Sequence, residues 1–317
     1  MGELALDISK VRKVYSGKVE ALRGISLQVE KGRVFGLLGP NGAGKSTLVK
    51  ILTTIIRPTH CEGEMLGKPI GHKPTLGRIG YLPEHARFPD YLSGVQVLEF
   101  AAGLCGISPR KCAQRSAELM ELVGMTDWQH KPLKTYSKGM KQRIGVAQAL
   151  VNDPEIVFLD EPTDGVDPAG RRDIRLLMER LRGENRTVFV NSHLLGELEL
   201  ICDDVAILSQ GAIKMEGNLK ELTGKQTEFR IKYEGELPAD MEPILKTHRC
   251  RREPGLVIAP ALLAKEVMPL LDALRSKGVV ISGLERRSLT LEELFLGVVG
   301  DDRPGAGPPP LKGRSKA

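Results

Sequence analysis

The sequence predicts an α/β protein built around a nucleotide-binding sheet, and three observations carry that prediction. The apolar run Val34 to Leu38 ends in the glycine-rich stretch Gly39-Pro40-Asn41-Gly42-Ala43-Gly44-Lys45-Ser46-Thr47. That stretch opens a segment of helical character from about Lys45 to Ile56. A second apolar run, Ile156 to Leu159, ends far downstream in two carboxylates, Asp160 and Glu161. Strand, loop and helix in that order mark a nucleotide-binding α/β core.

The other elements follow in chain order. Leu4, Leu6 and Ile8 alternate with other residues, and Ile25, Leu27 and Val29 repeat the alternation, as on half-buried strands. From about 85 to 150 the pattern is helical, with Val95, Leu98 and Phe100 in one helix and Leu119, Leu122 and Val123 in another. Ile174, Leu177, Met178 and Leu181 fall at i, i+3, i+4 and i+7, one face of an amphipathic helix. Thr187 to Val190 and Val205 to Leu208 are short apolar runs suited to buried strands. Strands alternating with helices suit a largely parallel sheet.

Near Thr223-Gly224-Lys225 the character changes. Phe229 to Tyr233 alternates like a strand, Ala261 to Leu274 reads as helix, Val279 to Ile281 as strand and Leu291 to Leu296 as helix. The predicted organisation is a large domain over 1–224, a small α+β domain over 225–300, and a Pro- and Gly-rich tail over 301–317 that composition marks as disordered.

Composition narrows the function classes. The chain has 317 residues, 41% of them hydrophobic and only 4% aromatic, so aliphatic side chains must fill the core. No apolar stretch approaches the roughly 20 residues that a membrane-spanning helix needs. The opening MGELALDISK lacks the basic-then-apolar order of a secretory signal. Five cysteines, an odd number with no CxxC pair, point to reduced thiols in the cytoplasm. The net charge of +6 is spread along the chain without a long basic run, so no nucleic-acid partner is expected.

The chemistry lies in the two motifs. Residues 39–47 fit G-x-x-x-x-G-K-[ST]. Its glycines let backbone N–H groups close around phosphate oxygens, and the following helix N-terminus adds partial positive charge. Lys45 is placed to reach β- and γ-phosphates, and the Ser46 hydroxyl to ligate Mg2+. Asp160, at the end of the second strand, is the second candidate magnesium ligand. Glu161 beside it is the candidate general base that polarises the attacking water.

With these motifs in place, the chain resembles the ATP-binding subunits of ABC transporters over about residues 4–222. Tyr136-Ser137-Lys138-Gly139-Met140-Lys141-Gln142-Arg143 is similar to that family's LSGGQxQR signature and lies shortly before the second strand motif. Asp164 to Pro168 resembles the D-loop, and His193 resembles the switch histidine. Tyr15 resembles the aromatic that stacks on adenine, and Glu84, in Tyr81-Leu82-Pro83-Glu84, resembles the Q-loop glutamine. The segment Leu289-Thr290-Leu291-Glu292-Glu293-Leu294-Phe295-Leu296 is similar to the end of subunits that pair with exporter-type permeases.

The resemblance implies a P-loop ABC cassette with a RecA-like core, an antiparallel β part and a helical subdomain over about 85–150, followed by the small C-terminal domain. It implies ATP and Mg2+ as ligands, with His193 ordering the reaction and Glu84 reaching magnesium or its water. A second copy would close head to tail so that Ser137 and Gly139 meet the nucleotide held by the other chain's Lys45. A separate transmembrane permease would hold the chain at the cytoplasmic face of the membrane and carry the substrate, as an exporter. Lys138, Met140 and Glu84 depart from the family residues. The alternative, a soluble ABC ATPase of translation or DNA repair, usually carries two cassettes or a coiled-coil insert in one chain, and neither is present in this sequence.

Overall fold

The computed structural model describes residues 2–224, 227–260, 263–288 and 290–300. The tail expected over 301–317 lies outside the described residues. The chain divides into two compact units, Met1–Glu216 and the part from Gly217 onward, so the division lies upstream of the 224 boundary read from sequence.

The first unit holds two sheets and a set of helices. An antiparallel sheet is ordered β2-β1-β4-β5, with β1 Leu4–Val14, β2 Glu20–Glu30, β4 His60–Met65 and β5 Lys68–Pro69. The second sheet is ordered β10-β9-β3-β8-β7-β6. Its strands are β3 Val34–Leu38, β6 Ile79–Leu82, β7 Ile156–Asp160, β8 Thr187–Asn191, β9 Asp204–Ser209 and β10 Ala212–Asn218. The pairs β3–β8, β3–β9, β6–β7 and β7–β8 are parallel. β3, β7 and β8 are buried along their whole length. That explains why they read as continuous apolar runs rather than alternating ones.

α1 Lys45–Leu52 follows β3 and ends earlier than the sequence suggested. Thr53 Oγ1 donates to the Val49 carbonyl and Thr54 turns into the left-handed region at φ 62, which stops the helix before Ile56. α2 Lys73–Leu76 precedes β6. α3 Gly94–Leu104, α4 Pro109–Leu122 and α5 Lys138–Ala149 occupy the helical region expected over 85–150. Ser93 starts α3 with a capping box to Gln96. α6 Pro168–Gly183 buries Ile174, Leu177, Met178 and Leu181, the stripe seen in sequence, and α7 Leu195–Glu199 follows β8. Phe35 on β3 stacks on Phe189 of β8, and Phe158 on β7 packs tilted against Phe189, with ring centroids 5.3 Å apart in each pair. This aromatic layer fixes the strands whose ends carry the site.

The second unit begins with α8 Leu219–Gly224, and β11 Thr227–Glu234 follows. Then come α9 Glu242–Thr247, β12 Arg251–Glu253, β13 Leu256–Pro260, α10 Ala264–Ser276, β14 Val280–Ser288 and α11 Leu291–Gly300. The sheet order is β12-β13-β11-β14, antiparallel throughout. Phe229, Ile231 and Tyr233 share one face of β11 and pack with Leu245, Val257, Leu270 and Leu274 into a core of its own.

Candidate nucleotide site

The glycine-rich loop is held by its backbone. The Ala43 N–H donates to the Pro40 carbonyl at 3.1 Å, and the Ala43 carbonyl accepts from Gly211 N–H at 3.0 Å in the β9–β10 turn. Two glycines have no substitute here. A Cβ on Gly39 would lie 2.3 Å from the Leu208 carbonyl oxygen, and Gly44, at φ 110, would bring one within 2.6 Å of the Ala21 carbonyl oxygen. Gly44 caps α1, so the loop delivers the chain directly to a helix N-terminus, a ready anion site. Asn41 and Gly42 are exposed at the loop tip, while Ala43 is buried beneath it.

Lys45 is buried, and its ammonium donates to the Gly39 carbonyl at 2.7 Å and lies 3.4 Å from that of Pro40. Burial pushes its pKa down, against the pull of Glu161, Asp160 and Glu84. Those three carboxylates therefore share one electrostatic field with the lysine. Tyr15 extends from the β1–β2 turn to this end of the sheet. Its hydroxyl lies 3.4 Å from Thr47 Oγ1, and Lys13 Nζ sits 5.0 Å from its ring centroid.

β7 delivers the two carboxylates to opposite fates. Asp160 is 1% exposed. Its Oδ1 accepts from Asn191 Nδ2, in a short contact, and from Ser46 Oγ at 3.4 Å. Its Oδ2 is buried and has no hydrogen-bond partner among the described residues. Burial pushes this carboxyl above the usual range despite the bonds from Asn191 and Ser46. A buried carboxylate oxygen left bare is costly, and a hard divalent cation is the group that relieves it. Asp160 and the Ser46 hydroxyl thus form a donor set that fits Mg2+.

Glu161 follows the strand in the left-handed region, at φ 52, and remains buried. Its N–H donates to the Asn191 carbonyl at 2.8 Å. Its Oε2 accepts from the His193 ring Nδ1 at 2.8 Å and from the His193 N–H at 3.3 Å. Glu84 is exposed just past β6, with His85 Nε2 3.8 Å away.

The structure brings Lys45, Ser46, Asp160, Glu161 and His193 to one set of strand ends, with Tyr15 and Thr47 beside α1. It does not bring Ser137 and Gly139 into those hydrogen bonds. Ser137 Oγ accepts from the Met140 N–H and caps α5, and the space around Gly139 is bounded by Val166 and Asp167. Two residues at the site were not singled out from sequence. Asn191 closes β8 and orients Asp160, and its position two before His193 was the available signal. Gln142, one turn into α5, donates to the Glu161 carbonyl at 3.3 Å.

Comparison with known proteins places this geometry. The family model described as ABC transporter matches residues 22–164. An uncharacterized ABC transporter ATP-binding protein of Nostoc sp. is 43% identical over 301 residues, spanning 91% of this chain and 88% of its own. The chain belongs to the ABC transporter ATP-binding proteins. The cassette is thus an ATPase that powers transport. The daunorubicin resistance ATP-binding protein DrrA3 of Streptomyces coeruleorubidus is 33% identical over 311 residues, spanning 96% of this chain and 98% of its own. Among solved structures, cbiO1 of Clostridium perfringens, part of the ABC transporter complex cbiONQ, has a TM-score of 0.63 and 29% identity, covering 69% of this chain and 90% of that one. Among the described residues of the cassette, no helix is long and apolar enough to cross a membrane.

Proposed function

We propose that two copies of the cassette close head to tail around two ATP molecules and drive export through a separate permease at the cytoplasmic face of the membrane. The observation that carries the paired site is the division of labour within one chain. Lys45, Ser46, Asp160 and Glu161 converge, while Ser137 and Gly139 form a second, outward-facing element with no part in that convergence. A signature without a substrate in its own chain makes chemical sense when it meets the nucleotide of another.

In each site the backbone N–H groups of residues 39–47 and the Lys45 ammonium hold the β- and γ-phosphates, and Tyr15 stacks on adenine. Ser46 and Asp160 would hold Mg2+, with Glu84 toward it or its water, and the ion would supply charge neutralisation at the phosphates. Glu161 accepts the proton of the attacking water. The His193 Nδ1 contact with Oε2 orients that carboxylate, and His193 orders the reacting groups. The transition state spreads charge over phosphoryl oxygens, so fixed cations and N–H donors supply most of the stabilisation. Export as the direction is supported by relatives named for daunorubicin and linearmycin resistance. The translation or DNA-repair alternative has no support from the relatives reported above.

The test is complementation. A Lys45→Ala chain and a Gly139→Asp chain, each inactive alone, should form mixed dimers with one intact site and one doubly damaged site. Steady-state phosphate release should then rise above that of either variant. Proven mixed dimers without recovered hydrolysis would refute the paired site.

A further inference from the structure

Lys138 occupies the first turn of α5, where a cation faces the positive end of the helix dipole. Its placement is compensated from another segment. Nζ donates to Asp164 Oδ2 at 2.8 Å, across 26 residues of sequence. Gly165 lies in the left-handed region at φ 63, and a Cβ there would come within 2.1 Å of the lysine Nζ and 2.7 Å of Cδ and Cε. The lysine stem therefore crosses the one residue in that turn that has no side chain. The Asp164 carboxyl is held below its usual range, chiefly by the Lys138 hydrogen bond, with weaker attraction from His193 and His85.

From Asp164 the connection runs on to the proposed base. The Asp164 N–H donates to the Glu161 carbonyl at 3.2 Å, and that same carbonyl accepts from Gln142 of α5. α5 thus grips the Glu161 turn at two points, one charged at its start and one neutral a turn later. We propose that Lys138 is a positioning residue which, through Asp164, couples engagement of the partner's nucleotide by Ser137 and Gly139 to the placement of Glu161 in its own site. The proposal rests on the paired-site reading above. It differs from the simpler role for an added cation in the signature, direct contact with the partner's phosphate, in making the effect of Lys138 depend on Asp164.

The test is a double-mutant cycle in the full chain. Lys138→Gly and Asp164→Asn should each lower kcat about two- to fivefold, the range a partly exposed ion pair supports. KM for ATP and binding of a fluorescent ATP analogue should stay at wild-type values. The double variant should be no slower than either single variant, because the two residues act as one unit. Lys138→Met, which keeps most of the stem, should match Lys138→Gly, and Lys138→Arg should retain activity. Additive losses in the double variant would overturn the relay. So would a raised KM and weaker ATP-driven dimerisation in the Lys138 variants alone, which would mark direct phosphate contact. Mixing the Lys45→Ala and Gly139→Asp chains leaves Lys138 and Asp164 intact, so a failure of the paired site, which would remove the basis of the relay, is recognised separately.

Discussion

His193 Nδ1 lies 2.8 Å from Oε2 of Glu161, and the His193 backbone N–H points at the same oxygen from 3.3 Å. Glu161 follows the end of β7 directly and His193 lies two residues past the end of β8, and these parallel neighbours pair Asp160 with Asn191 at their ends. One oxygen of Glu161 thus meets both a ring nitrogen and a backbone N–H of the same residue. The carboxylate is oriented before any substrate arrives, and orientation is a large part of what a general base needs.

Glu161→Gln keeps size and removes the base. Its amide also offers a donor in place of one of the two acceptor oxygens beside two N–H groups. Turnover is expected to fall about 10²–10⁴-fold, the usual contribution of a positioned base, while ATP binding is retained. Size-exclusion chromatography with ATP should show the variant accumulating as a dimer. Turnover within a few-fold of wild type would remove Glu161 from the role of base.

A second expectation concerns Tyr81 on β6. Its hydroxyl is buried with no hydrogen-bond partner among the described residues. Burial, then the nearby Asp160 and Glu84, push the phenol up to about 12, so it stays neutral at physiological pH. A buried hydroxyl without a partner contributes nothing to offset its desolvation. Tyr81→Phe should therefore leave unfolding free energy unchanged or raise it by up to about 1 kcal/mol, measured by urea denaturation. A loss of more than about 1 kcal/mol would show that the hydroxyl is satisfied by ordered water.

The nucleotide half of the site was legible because it depends on contiguous residues. A buried strand must be apolar, the loop must lack side chains, and the helix must begin with Lys45 and Ser46, so all three fall in one short stretch. Asp160 and Glu161 were legible for the same reason. What sequence did not give were relations across the sheet. Asn191 orients Asp160 only because β8 lies beside β7, and Lys138 meets Asp164 only because α5 packs against that turn. In the second unit, Phe229, Ile231 and Tyr233 announced β11 by alternation. β12, Arg251–Glu253, did not announce itself, because an exposed edge strand made of charged residues carries no apolar period.

The last prediction concerns the permease. Between the end of β6 and α3 lies a cavity of about 630 Å³ lined in part by Tyr81, Phe88, Leu92 and Val97. Tyr91 and Phe100, which also line it, are 79% and 66% exposed. Two large rings held out to water beside an apolar hollow gain little in the isolated cassette, and together they suit an apolar helix face laid into a groove. The groove starts at the strand leading to Glu84, whose charge acts on Lys45 and Asp160, so a segment seated there would feel movement at the nucleotide site. A short cytoplasmic helix of the permease is the expected occupant. Tyr91→Asp and Phe100→Asp, both exposed, should change stability by no more than about 0.5 kcal/mol and leave ATP binding intact. Each should shift the chain from the membrane pellet to the soluble fraction of cells that also express the permease. If the variants pellet and support transport as wild type does, or if the chain pellets without any permease, the groove is not where the permease is held.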